Sequence, residues 1–133
     1  MKKYILPIML LVLSVFLFSC SLNFGQNDII PKSDSIEITK HSTSGEGVDQ
    51  TITVRDTEVV KHITDNFNSL SLEEIDYIKP NMVMYTLVFY DETTEVQQVN
   101  IKSKKHLSFS DDNNPYAVTK GELDIDYLDA LFT

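Results

Sequence analysis

Residues 82–90, MVMYTLVFY, carry the strongest strand signal in the chain. Val83, Tyr85, Leu87 and Phe89 fall on one side of an extended backbone, and Met82, Met84, Thr86, Val88 and Tyr90 on the other. Both sides are mostly apolar. That pattern predicts a central strand covered on both faces.

The neighbours are read outward from this strand. Asp91-Glu92-Thr93-Thr94 is a polar turn of hairpin length, and residues 95–101 (EVQQVNI) form the return strand. Val99 and Ile101 point inward while Val96 starts on the opposite face, a parity change that leaves room for a bulge. Residues 106–110 (HLSFS) put Leu107 and Phe109 on one face. Residues 110–115 (SDDNNP) are a strong turn signal, and residues 116–120 form one more short strand. Upstream, residues 35–41 (SIEITKH) and 51–55 (TITVR) alternate through Ile36, Ile38, Ile52 and Val54. The Gly-containing stretch 42–50 between them makes the pair a hairpin.

Asp56 is placed to cap a helix, with Glu58 in its first turn, where a carboxylate suits the helix dipole. Val59, Val60, Ile63, Phe67 and Leu70 then recur with a 3.6-residue period and predict an amphipathic helix over 57–68. Residues 70–80 (LSLEEIDYIKP) fit either a short helical turn through Leu72, Ile75 and Ile78 or a strand over 75–79, closed by Pro80. Gly121 breaks the chain before a last helix over about 125–132, with Asp124 as N-cap and Leu128, Leu131 and Phe132 as its apolar stripe. The expected fold class is therefore α+β. It is an antiparallel sheet of about five to six strands, with one main helix packed on one face and a short C-terminal helix.

The chain opens with Lys2, Lys3 and then 15 nearly unbroken apolar residues, 4–18. A bilayer-spanning helix needs roughly 20, so the run suits the apolar region of an export signal. It ends in Leu17-Phe18-Ser19-Cys20, which resembles the lipobox of bacterial lipoproteins, with Phe18 bulkier than the usual small residue. The resemblance implies cleavage before Cys20, a diacylglyceryl group on the Cys20 thiol, and attachment to the extracytoplasmic face of a bacterial cell membrane. Two acyl chains anchor firmly where one gives only reversible binding. Cys20 is the chain's only cysteine, so it has no disulfide partner within the chain.

The expected organisation is a signal peptide over 1–19, a lipidated cysteine and tether over 20–34, and a single domain over 35–133. The tether spans ~20 Å as a coil, unless Ile29 and Ile30 dock onto the domain. In outline the domain resembles small lipoproteins of Gram-positive bacteria, with no specific family motif.

Removing the first 19 of 133 residues leaves 114 and moves the net charge from −9 to −11. Such a chain is not built for nucleic acid, which demands basic patches. The acidity is compatible with cationic peptides, basic proteins or metal ions as partners, but plain solubility of an exposed protein accounts for it first. His41, His62 and His106 are isolated from one another, and no catalytic set, Zn-spaced ligand pair or phosphate loop is present, so no catalytic, cofactor or metal residue is assigned. The Asp/Asn run 111–114 offers oxygen ligands but lacks calcium-loop spacing. The reading is a membrane-anchored, non-enzymatic binding or interaction module. Its alternatives are an accessory subunit of an envelope complex, docking through the second face of 82–90, and a metal-ion-binding protein.

Overall fold

The computed structural model describes residues 28–42, 47–76, 82–109 and 112–133. The opening segment, the lipobox and Cys20 lie outside the described residues. Among those described, no helix is long and apolar enough to cross a membrane.

Nine elements follow in order: β1 (Ser35–Lys40), β2 (Gln50–Val54), α1 (Thr57–Asn68), β3 (Ser71–Glu74), β4 (Tyr85–Asp91), β5 (Thr94–Ser103), β6 (His106–Phe109), β7 (Asp112–Lys120) and α2 (Ile125–Ala130). The strands make one antiparallel sheet in the order β2-β1-β4-β5-β6-β7-β3. The α+β class with an antiparallel sheet thus holds, but the sheet has seven strands instead of five to six.

The added strand is β3, which pairs with β7 at the far edge. Its only apolar residue is half-buried Leu72, so no alternation marks it as a strand. Backbone pairing to a segment some 46 residues later makes it one. β7 also starts earlier than the turn signal in 110–115 suggested. Pro115 lies inside it, opposite Ser108 and next to a register shift, the kind of irregularity at which a strand tolerates proline. The Pro115 carbonyl accepts from the Ile75 N–H at 3.0 Å. The alternatives for 75–79 fall mostly outside the described residues.

The bulge in the β4–β5 hairpin is present: Phe89 pairs with Gln97 and Tyr90 with Glu95, leaving Val96 as the extra residue. Both helix caps form where expected. The Asp56 carboxylate accepts from the Glu58 and Val59 amides, and Asp124 accepts from that of Tyr127.

Directly paired residues of an antiparallel sheet share a face, so the registers sort every side chain. Ile36, Ile38, Leu87, Phe89, Val99, Ile101 and Leu107 form one fully buried face. α1 lays Val60, Ile63 and Phe67 on it, with the Phe67 ring edge-on to Phe89 at 5.8 Å. α2 lies beside α1 on the same face, and its Leu128 is buried with them. The expectation that 82–90 is covered on both sides is corrected. Met84, Thr86, Val88 and Tyr90 stay half-exposed, and no described element lies over them.

Two asparagines of α1 hold the chain on either side of it. The Asn68 amide accepts from the Ile30 N–H at 2.9 Å and donates to the Ile30 carbonyl at 3.4 Å. Asn66 donates to the Glu122 carbonyl and accepts from the Asp124 N–H, both at 3.0 Å. Each amide pairs with backbone as a neighbouring strand would. Ile30 is 2% exposed, so packing of the domain begins within the stretch read as tether.

The end of α2 is pinned separately. The Tyr85 ring is buried in the sheet and its hydroxyl donates to Asp129, which also pairs with Lys40 at 3.2 Å. Burial and the adjacent carboxylate push the Tyr85 hydroxyl well above its ordinary pKa. The same hydrogen bond, aided by Lys40, holds the Asp129 carboxyl below the usual carboxylate range.

Two stability measurements follow from these contacts. Asn68→Ala strips the part-buried Ile30 N–H and C=O of their partner and is expected to cost about 1–3 kcal/mol in urea unfolding. Tyr85→Phe keeps the buried ring and loses a hydrogen bond to a charged group, an expected loss of about 1–2 kcal/mol at pH 7. Because the Asp129 pKa is lowered on folding, its contribution is complete above about pH 4 and is lost as pH falls through the lowered value. The deficit of Tyr85→Phe should therefore shrink at pH 3.

Candidate functional site

β1, β4 and β5 lie side by side, so their outward residues form the middle of the open face. Glu37 and Thr39 of β1, Thr86 and Val88 of β4, and Gln98 and Asn100 of β5 share it. Thr51 and Thr53 of β2 extend it to one edge, with Thr39 and Thr51 hydroxyls 3.0 Å apart. The sequence folds this way because alternation must send every second side chain away from the core, and in these strands those residues include threonines, amides, Glu37, Glu95, Met84, Val88 and Tyr90.

A hydrogen-bonded chain crosses three strands of this face. Asp49 Oδ2 lies 2.9 Å from His41 Nδ1, and His41 Nε2 lies 2.8 Å from Thr86 Oγ1. The Thr86 hydroxyl donates to Asn100 Oδ1 at 2.9 Å. Asp49 Oδ1 also accepts from the Ser42 amide at 2.8 Å. That amide first, and His41 second, keep the Asp49 carboxyl below the usual carboxylate range. Each of the other two histidines also has a polar partner, and none of these contacts joins one histidine to another. His62 Nε2 lies 3.1 Å from Asp124 and its ring stacks on Tyr127 at 3.7 Å, while His106 Nδ1 lies 2.9 Å from the Ser103 hydroxyl.

A carboxylate–imidazole–hydroxyl chain is the arrangement by which a hydroxyl nucleophile is activated. Acyl transfer also needs donors aimed at the developing oxyanion. Here Thr86 sits mid-strand, and the β4 backbone around it pairs with β1 on one side and β5 on the other. Its amides are committed to the ladder. The contacts tie the side chains of Asp49, His41, Thr86 and Asn100 to one another across the face.

Elsewhere, a cavity of about 10 Å³ lies under His62 and Tyr127 between the helices, room for no more than a water. A wider groove of about 370 Å³ runs between 28–33 and α1, bordered by Lys32, Thr57, Lys61 and Thr64. Among the described residues, no three His, Cys, Asp or Glu side chains are grouped to hold a metal. The side chains of 111–114, considered for calcium, lie outside the described residues, as does Cys20.

The His41–Asp49 pair had a readable signal. Extending the hairpin register in which Ile36 meets Val54 and Ile38 meets Ile52 sets residue 41 opposite residue 49. Thr86 meets Asn100 through the β4–β5 hairpin register, whereas the meeting of His41 with Thr86 had no such signal, since it depends on β4 lying beside β1. Compared with protein-family models, with curated proteins and with solved structures, the chain matches none.

Thr86→Val removes the hydroxyl that joins His41 to Asn100 and is expected to cost about 1 kcal/mol. In a double-mutant cycle with His41→Ala, the two losses should fall short of additive by about 0.5–1 kcal/mol in urea unfolding, the sign of a shared contact.

Proposed function

We propose that this protein is a lipid-anchored component of the bacterial cell envelope, held to the extracytoplasmic face of the membrane by Cys20, whose domain acts by docking another envelope protein on its open sheet face. The observation that carries the docking is the one-sided placement of the helices. α1 and α2 both pack on the Tyr85–Leu87–Phe89 side, and Met84, Val88 and Tyr90 are left half-exposed. Single exposed apolar groups are ordinary, whereas Val88 and Tyr90 stand at successive outward positions of β4, with Met84, partly packed on the core, beyond Thr86.

Its chemistry favours a protein partner. Interface centres are enriched in Tyr and Met, and the middle of this face holds Met84, Thr86, Val88, Tyr90, Gln98 and Asn100, with Glu37 beside Val88 and Glu95 beside Tyr90. The hydrogen-bonded Asp49–His41–Thr86–Asn100 chain reduces the side-chain entropy lost on binding. Part of the chain's acidity, Glu58, Asp65, Asp124, Asp126 and Asp129, lies on or caps the helices, while Glu37, Asp49 and Glu95 lie on this face. The anchoring rests on the lipobox resemblance and on Cys20 being the chain's only cysteine, with no disulfide partner within the chain.

The test is capture from the protein's own solubilised membranes. The wild-type chain is expected to retain a protein partner in 0.5 M salt, and Val88→Asp, folded by its thermal melt, to retain at least tenfold less. Cys20→Ala should leave the protein unlipidated and fail to incorporate labelled fatty acid. Equal retention by wild type and Val88→Asp overturns the docking face; retention that vanishes in salt points to a cationic ligand instead. Fatty-acid labelling of Cys20→Ala overturns the anchor.

A further inference from the structure

β2 is the outermost strand of the sheet, and among the described residues nothing pairs with its free side. Which backbone groups face that side follows from the ladders. The His41 N–H bonds to the Met84 carbonyl at 2.9 Å, continuing the β1–β4 register in which Thr39 meets Thr86. Odd-numbered residues of β1 therefore turn their N–H and C=O toward β4, and even-numbered ones toward β2. The hydrogen-bonded pairs between β1 and β2 are then Ile36–Val54, Ile38–Ile52 and Lys40–Gln50. The backbone groups of Thr51 and Thr53, between those pairs, aim at the open edge.

Native sheets guard such edges with lysine, proline or a bulge, and β2 has none of these. Its central Thr51-Ile52-Thr53 instead reads the same in reverse. In Asp49-Gln50-Thr51-Ile52-Thr53-Val54-Arg55, a two-fold axis at Ile52 sets Thr51 against Thr53 and Asp49 against Arg55 of a second copy. The parity is right, because the residues whose backbone groups face outward then meet as hydrogen-bonded pairs, and Ile52 meets Ile52 as a non-hydrogen-bonded one. Asp49, Thr51, Thr53 and Arg55 also share one face. Arg55 is the chain's only arginine, is exposed, and has no ion-pair partner among the described residues. The Asp49 carboxylate has lone pairs left beyond His41 and Ser42 to accept it.

We infer that two copies of this chain pair antiparallel through their β2 edges about a two-fold axis at Ile52, with Asp49 of each copy against Arg55 of the other. The two seven-stranded sheets become one continuous sheet, an isologous contact that closes after two subunits and leaves β3 as the outer edge on either side. The open faces of the two copies then lie next to each other. This goes beyond the docking reading and can fail without it.

Register-specific cross-linking tests the pairing. In the full chain in detergent, with Cys20→Ala so that a single thiol remains, Ile52→Cys is set opposite itself, whereas Gln50→Cys is four residues out of step with its own copy, ~13 Å away. Under mild oxidation Ile52→Cys is expected to form covalent dimer at least tenfold faster than Gln50→Cys. Adding Arg55→Glu, which sets like charges face to face at both ends, should slow it about tenfold at low salt. Thr53→Pro removes an edge donor that β1 does not use and should abolish it. Equal rates at positions 50 and 52, or a rate at 52 indifferent to Arg55→Glu, overturns the pairing. Arg55→Glu alters only an exposed side chain, so that comparison stands even if Thr53→Pro unfolds the hairpin.

Discussion

One connection governs the rest of the structure. β2 and β3 are consecutive strands, yet they form opposite edges of a seven-stranded sheet. Six strand spacings of about 4.8 Å separate them, roughly 29 Å. The twelve-residue α1 supplies about 18 Å, and only the few residues at its ends remain to make up the difference. So short a link must cross one face directly. Crossing it, α1 presses Val60, Ile63 and Phe67 onto the sheet and takes up the apolar side chains of that face.

The other packing decisions follow from that crossing. α2 finds its apolar surface against α1 and the same sheet face, so both helices accumulate on one side. The Asn66 and Asn68 amides then give the chain on both sides of α1 the backbone partners that no strand supplies. Tyr85 reaches through the core to Asp129 and sets where α2 ends up. Among the described residues the helices cover one face and leave the outward side chains of the other half-exposed or exposed. The polar chain from Asp49 to Asn100 ties side chains of that face together without burying it.

Much of this was legible residue by residue. The 3.6-residue period and two aspartate caps located α1 and α2, because helices are set by neighbours three and four apart. Alternation located β1, β2, β4, β5 and β6, and the parity change at Val96 marked the bulge. β3 was missed because an exposed edge strand needs no apolar alternation. Apolar residues on both sides of 82–90 suggested cover on both sides, an inference that alternation alone cannot make, since it counts side chains and not the elements available to cover them. Of the candidate site, the His41–Asp49 end was implicit in the hairpin register. Thr86 and Asn100 lie 45 and 59 residues from His41, and no local spacing links either to it.

What the sequence determined by itself was local: most of the elements, their caps and their inward faces. Strand order, and with it which face is covered and which histidine meets which carboxylate, was decided only by the tertiary structure. The reason is physical. Hydrogen-bond periodicity acts over a few residues and leaves its mark in the chain, whereas the choice of neighbouring strand depends on how a short helical link can span the finished sheet.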